Sequence, residues 1–245
     1  MSNEGATPEL QTGRSGIVFI CTGEFYTDRA LEAAESVRRS NPRIPMVLFT
    51  DQTIRSELFV SIERITDPHM RSKIDYLDKS PFDLTLYLDT DVRVIGDISD
   101  MFGLLEKYEM AGAHVRARAK PRRLKSWRLS LPRTFPQINC GVLLYKKCEA
   151  TSRLFRDWQA AYREAKLEGD QLTFRETLWR SDVKFYVLAP EYNMRSSALL
   201  TLLSKEPRPV ILHKRSYHFG RWVLFKNWLK TRGRPGARPI SARRQ

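Results

Sequence analysis

Two aspartates one residue apart, Asp89 and Asp91, sit inside the run Leu84–Val94 (LTLYLDTDVRV). The apolar, β-favouring residues before them predict a strand, so both carboxylates fall at its carboxyl end. Open α/β sheets bind their ligands beyond that edge. Paired carboxylates there suit a hard, oxygen-seeking cation such as Mg²⁺ or Mn²⁺, which would in turn take diphosphate oxygens. The spacing alone says little, because thirteen Asp in 245 residues produce about 0.7 D-x-D matches by chance.

Four more segments carry chemistry, each with a plainer alternative. Asn139-Cys140-Gly141 offers a side-chain amide for a hydroxyl and a glycine that admits close backbone approach, or simply a turn. Gly169-Asp170-Gln171 opens a helix, so Asp170 is either a site carboxylate or an N-cap. His213 follows a short apolar run, where it is either a metal ligand or a structural histidine. Lys73 precedes the acidic strand and reads either as a phosphate contact or as a solvated lysine.

The elements that must position these residues are legible as an alternation. Gly16–Cys21 and Pro45–Thr50 read as buried strands flanking a helix that Asp28 would cap, giving a βαβ unit and a parallel sheet. A helical stretch near 72–78, strands at Leu84–Leu88 and Val92–Ile95, and a helix capped by Ser99 follow. Strands at Ala111–Val115 and Cys140–Tyr145, a helix capped by Thr151, a helix over Gln171–Trp179, and strands at Val183–Leu188 and Val210–Leu212 complete the pattern. It predicts a doubly wound α/β fold with a mostly parallel central sheet flanked by helices.

The chain carries 42 Lys and Arg against 28 Asp and Glu, a net charge of +14. The charge is local. Residues 116–133 hold eight basic residues and no acid, and residues 205–245 hold twelve with one acid, so the rest of the chain sums to −5. This argues against an evenly basic nucleic-acid-binding domain, which stays as the alternative reading, carried by those two segments. No nucleic acid is expected as a partner. Residues 116–133 read either as a solvated, mobile loop or as a lid or docking loop for an anionic ligand. Phe219–Lys230 (FGRWVLFKNWLK) interleaves aromatic and basic residues, as an interfacial helix on an anionic membrane does. Three cysteines without a CxxC pair argue against a disulfide framework or a zinc knuckle. The polar first residues lack a signal-peptide pattern, and no apolar run is long enough to span a membrane. These features predict a cytoplasmic protein, peripheral on the inner membrane face if the aromatic segment binds lipid. The expected organisation is a flexible leader over 1–14, a domain over 15–218 and a basic aromatic tail over 219–245.

Taken in order, K-x₁₅-D-T-D, N-C-G-V, G-D-Q and V-I-L-H resemble the GT-A-type nucleotide-diphospho-sugar glycosyltransferases. The family-8-like branch, with glycogenin and the lipopolysaccharide galactosyltransferases, is nearest. SPFDLTLYLDTDVRV, FPQINCGVLLY, GDQLTFRETLWRS and APEYNMR are similar to segments of small prokaryotic or viral members. The resemblance spans about residues 16–213 and implies a single GT-A, Rossmann-like domain. It implies a Mn²⁺- or Mg²⁺-dependent enzyme that moves a sugar from a nucleoside diphosphate sugar, UDP-sugars first, to a hydroxyl on a glycan, lipid or protein. Asp89, Asp91 and His213 match the metal ligands. Lys73 matches a basic residue that contacts the donor diphosphate or sugar. Thr22, Tyr26 and Asp51 match the nucleotide side, and Asn139, Gly141, Asp170 and Gln171 the sugar and acceptor side. Asp170 and Glu191 stand as bases if the reaction inverts; the branch implies retention. The chain departs from the family after His213, where H-x-x-G-x-x-K-P-W is replaced by His213-Lys214-Arg215-Ser216-Tyr217-His218. Lys214 and Arg215 become substitutes for the missing phosphate contacts, His218 becomes a rival metal ligand, and binding without turnover stays open.

Overall fold

The computed structural model describes residues 14–115, 126–195 and 208–213. The expectations for the leader, for residues 116–125, for Lys214, Arg215 and His218, and for the tail lie outside those residues.

The first βαβ unit forms as expected: β1 (Ser15–Cys21), α1 (Glu24–Ser40) and β2 (Met46–Thr50), with β1 parallel to β2. Helix α1 starts earlier than its Asp28 suggests. Gly23 turns the chain at φ 82°, a conformation that suits a residue without Cβ. Its N–H donates to Asp51 Oδ1 at 2.7 Å, so Asp28 lies within the helix rather than at its cap.

There follow β3 (Ser61–Arg64), α2 (Lys73–Tyr76), β4 (Leu84–Leu88), β5 (Val92–Val94) and a 3₁₀ helix over Ser99–Glu106. Then come β6 (Met110–His114), β7 (Ile138–Lys146), α3 (Glu149–Ala165), α4 (Gln171–Arg180), β8 (Phe185–Val187), a 3₁₀ turn over Pro190–Asn193 and β9 (Ile211–His213). Two expected caps move. Ser99 is the first residue of its 3₁₀ helix, and its N–H is taken by Asp97 Oδ1 at 2.8 Å. Thr151 is the third residue of α3, where its hydroxyl accepts the Cys148 N–H at 3.2 Å and closes a capping box.

Seven strands form one sheet in the order β3-β2-β1-β4-β7-β6-β8. Six run the same way and β7 runs against them. The expected mostly parallel sheet is therefore present, with one reversal between β4 and β6. β3 was not expected, because Ser61-Ile62-Glu63-Arg64 has no apolar run. It is an edge strand paired to β2, where polar residues are tolerated.

Both faces of the sheet are covered, so its strands read as unbroken apolar runs. In β1, Ile17 and Phe19 pack with Ala30, Ala33, Ala34 and Val37 of α1. Val18 and Ile20 point the other way, into a core with Leu154, Phe155 and Trp158 of α3 and Phe174 of α4. The alanines of α1 let that helix lie close to the sheet. A separate ribbon pairs β5 with β9 antiparallel and sets Val92 opposite His213. Among the described residues, no helix is long and apolar enough to cross a membrane.

Candidate active site

Strand β4 ends at Leu88, and the turn into β5 holds Asp89 and Asp91. Pairing of β5 with β9 brings His213 to the same place from more than 120 residues away in sequence. His213 Nε2 lies 2.9 Å from Asp91 Oδ1 and 4.0 Å from Asp89 Oδ2. One ligand atom from each of the three residues falls within 4.8 Å of the others, a separation that one cation can bridge.

The surroundings fit such a cation. Gly141 of β7 leaves the space: a Cβ there would lie 2.4 Å from both Asp89 Oδ2 and His213 Cε1. Gly141 was expected to admit a ligand to the backbone; the space it leaves is occupied by the side chains of Asp89 and His213. His213 is 3% exposed, and its Nδ1 contacts Asn193 Oδ1 at 2.8 Å, which turns Nε2 towards the carboxylates. Asn193 Nδ2 donates to Asn139 Oδ1 at 3.1 Å, and that oxygen also accepts the Gly141 N–H at 3.2 Å. Asp89 Oδ1 accepts the Tyr87 hydroxyl at 2.5 Å, so its Oδ2 is the oxygen left to face the cluster. Burial and the Asp89 charge push the Tyr87 phenol well above its usual range, which keeps it a hydrogen-bond donor.

The cluster lies in the wall of a cavity of about 730 Å³, a size typical of small-molecule sites. Thr22 and Tyr26 line it, and Tyr26 is half-exposed. Asn139, Asp170 and Gln171 line it as well, and Gln171 Oε1 accepts from Gln137 Nε2 at 3.1 Å. Asp170 precedes α4, but its side chain makes no capping hydrogen bond. Its carboxylate instead pairs with Lys73 at 3.0 Å. Burial raises the Asp170 pKa, but the Lys73 and Arg71 charges outweigh it and hold the carboxyl below its ordinary value. Burial likewise opposes the Lys73 ammonium, and Asp170 and Asp89 more than compensate, so its pKa is raised.

Three expected site residues are not in the cavity wall: Gly141, which lies against the Asp89 and His213 side chains, Asp51 and Glu191. Asp51 is spent on the α1 N-terminus, as above. Glu191 sits in the 3₁₀ turn over Pro190–Asn193, where its carbonyl accepts the Val210 N–H at 2.9 Å. Four residues of the site carried no expectation: Tyr87, Asn193, Arg71 and Arg195. The last two line the cavity. Asn193 falls in the APEYNMR segment, but nothing in that segment pointed to His213.

No protein-family model and no curated protein sequence matches the chain. Solved structures do. The glycosyltransferase GlyE of Streptococcus pneumoniae TIGR4 matches with a TM-score of 0.59 and 20% identity, over 94% of this chain and 67% of that one. An active-site mutant of LgtC matches with a TM-score of 0.62 and 14% identity, over 93% and 99%. Mouse xyloside xylosyltransferase 1 matches with a TM-score of 0.53 and 13% identity, over 82% and 97%. The chain has the mixed α/β architecture of GT-A glycosyltransferases.

Proposed function

We propose that the protein is a metal-dependent glycosyltransferase that moves a sugar from a nucleoside diphosphate sugar, a UDP-sugar first, to a hydroxyl acceptor. The convergence of Asp89, Asp91 and His213 at the wall of a 730 Å³ cavity, within a GT-A fold, carries this reading. LgtC has been solved in complex with donor and acceptor sugar analogues, and the same fold here supports a donor and an acceptor sharing one cavity.

Asp89, Asp91 and His213 would hold Mn²⁺ or Mg²⁺. A cation bound there supplies Lewis-acid stabilisation of charge on a leaving diphosphate. Thr22 and Tyr26 hold the nucleoside end, and Asn139, Asp170 and Gln171 face the sugar. Asp170 is buried and paired with Lys73, an arrangement that suits a fixed negative charge beside an oxocarbenium-like sugar better than a mobile base. That assignment agrees with the retention implied by the family-8-like motifs.

The acceptor end is the mouth near Gln137 and Gln171. The described part of the basic segment is held against α4, the helix that Gln171 opens: Glu176 Oε1 accepts the Arg128 N–H at 2.6 Å, and Arg175 donates to the Pro132 and Phe135 carbonyls at 2.7–3.0 Å. An acceptor that carries negative charge suits a basic segment docked on the helix next to the cavity.

The test is a panel of nucleotide sugars with and without Mn²⁺, read by thermal shift and by released nucleoside diphosphate. The expected result is release with at least one UDP-sugar, lost on chelation. A metal-dependent thermal shift without release would make the protein a nucleotide-sugar binder. No response to any donor, with steeply salt-dependent binding to nucleic acid, would replace the reading altogether.

A further inference from the structure

An ammonium has three protons to donate and no more. Lys73 Nζ lies 3.0 Å from Asp170 Oδ2, 3.0 Å from the Cys140 carbonyl and 3.2 Å from Asp89 Oδ1. Two of its donors are hydrogen-bonded by the protein, and the buried Asp170 Oδ2, which accepts no hydrogen bond, faces the ammonium as an ion pair. The side chain is 8% exposed, and its Nζ sits 5.5 Å from the centre of the Tyr87 ring. Lys73 stands at the cavity wall, yet its charge is already matched within the protein by the carboxylates of Asp89 and Asp170.

Its partners explain why it is there. Three carboxylates, Asp89, Asp91 and Asp170, converge on this wall, and the last two are 6% and 3% exposed. His213 contacts Asp91. Without Lys73, Asp170 would be a buried charge with no bonded cation, a costly arrangement. The lysine comes from the first residue of α2. It reaches Asp89 after β4, the Cys140 carbonyl in β7 and Asp170 before α4, so it ties three elements at one atom.

Other cations line the same cavity. Arg71 Nε donates to the Glu168 carbonyl at 3.1 Å, which fixes the guanidinium beside the cavity on the Asp170 side. Arg195 follows Met194, whose carbonyl accepts the His213 N–H at 2.9 Å, so its backbone is tied to the strand that bears His213.

We propose that Lys73 is the internal counter-ion of the site, a strut between Asp89 and Asp170, and that Arg71 and Arg195 supply the fixed positive charge to the anionic part of a bound ligand. The arginine half rests on the donor reading above; the lysine half does not.

Two measurements separate the halves: melting temperature without metal, and UDP affinity by calorimetry in saturating Mn²⁺. Removing one partner of a buried pair is costly, so Lys73→Met is expected to lower the melting temperature by about 10 °C. Adding Asp170→Asn removes the orphaned charge and is expected to recover about half of that loss or more. Arg195→Ala and Arg71→Ala are each expected to lose about tenfold in UDP affinity, the size of one lost charge-assisted contact, and the double variant loses less than either. An unchanged melting temperature in Lys73→Met overturns the strut. A tenfold loss of UDP affinity in the double variant, with the arginine variants unaffected, returns Lys73 to the role of a phosphate contact. If Lys73→Met yields no folded protein, that is the strut's loss in extreme form, and a folded double variant completes the test; a double variant that also fails to fold overturns the pairing. Wild-type protein that binds no nucleoside diphosphate overturns the donor reading and the arginine half, while the melting temperatures still decide Lys73.

Discussion

Oδ1 of Asn193 lies 2.8 Å from Nδ1 of His213, and this contact decides which ring nitrogen faces the carboxylates. The amide cannot turn over freely, because its Nδ2 is held by Asn139 Oδ1 at 3.1 Å. His213 therefore donates from Nδ1, and Nε2 points at Asp91 and Asp89. Partners of this kind orient a metal-ligating histidine, and losing one typically costs about 10–100-fold in metal affinity. Asn193→Ala is expected to weaken Mn²⁺ binding, measured by calorimetry without nucleotide, by a factor in that range. Asn193→Asp keeps an acceptor at Nδ1 and is expected to retain more of the affinity. Equal affinity in Asn193→Ala and wild type would remove the positioning role.

Asp91→Asn tests the cluster itself. The side chain keeps its shape but loses the charge that faces His213 Nε2 at 2.9 Å. The protein should keep its far-ultraviolet circular dichroism and lose Mn²⁺ binding together with any metal-dependent donor turnover. A folded, fully active Asp91→Asn protein would sink the metal-site reading.

Gly141→Ala attacks the same cluster from the strand behind it. Its added methyl would lie 2.4 Å from Asp89 Oδ2 and His213 Cε1, so both side chains must move apart. The strand itself tolerates alanine, since Gly141 has no positive φ. We expect Mn²⁺ affinity to fall by about tenfold or more, comparable to the loss of an orienting partner, with the secondary structure intact by circular dichroism. A variant that binds Mn²⁺ like wild type would mean that the cluster closes by a route other than contact over Gly141.

What could be read in advance follows from sequence distance. Strands β1, β2, β4 and β7 were visible as apolar runs, and Asp89, Asp91 and His213 each sat at the end of such a run. The strand-end rule left His213 open between a metal ligand and a structural histidine, and only the resemblance carried by the ordered motifs joined it to the two aspartates. Lys73 was visible as a residue but not in its role, because its partners lie 16, 67 and 97 positions further along the chain. No local pattern encodes an ammonium whose charge is matched by partners this distant. The reversal of β7 was invisible for a similar reason: a strand buried on both faces has the same composition in either direction. β3 escaped because an edge strand need not be apolar.

The cysteines give a prediction with a definite sign. Burial pushes the Cys21 thiol up to about 11, and burial raises Cys140 well above the ordinary thiol range. A thiol reacts as the thiolate, so a raised pKa keeps both neutral and inert at pH 8. Cys148 is only partly buried. Iodoacetamide at pH 8 should label Cys148 first in the folded protein, with Cys21 and Cys140 labelled only after denaturation, as read by peptide mass spectrometry. Early labelling of Cys140 would mean that the wall beneath Lys73 opens in solution.

The basic segment yields a last test, because its described end is held by one side chain. Glu176 is 4% exposed, and its Oε1 accepts the backbone N–H groups of Arg128 and Leu129. Hydrogen bonds to a charged acceptor contribute about 1.5–3 kcal/mol each, and local opening is governed by such contacts. Glu176→Ala should free the Arg128 and Leu129 amides, so their hydrogen exchange accelerates by about tenfold or more, while amides in the middle of β7 keep their protection. Arg175 still holds the Pro132 and Phe135 carbonyls in that variant, so the loosening should stop before Gln137 at the cavity mouth. An acceptor that docks on the segment would then bind more weakly with donor affinity unchanged, which places the effect at the acceptor end. Unchanged exchange at Arg128 and Leu129 would show that the segment is held by something other than Glu176.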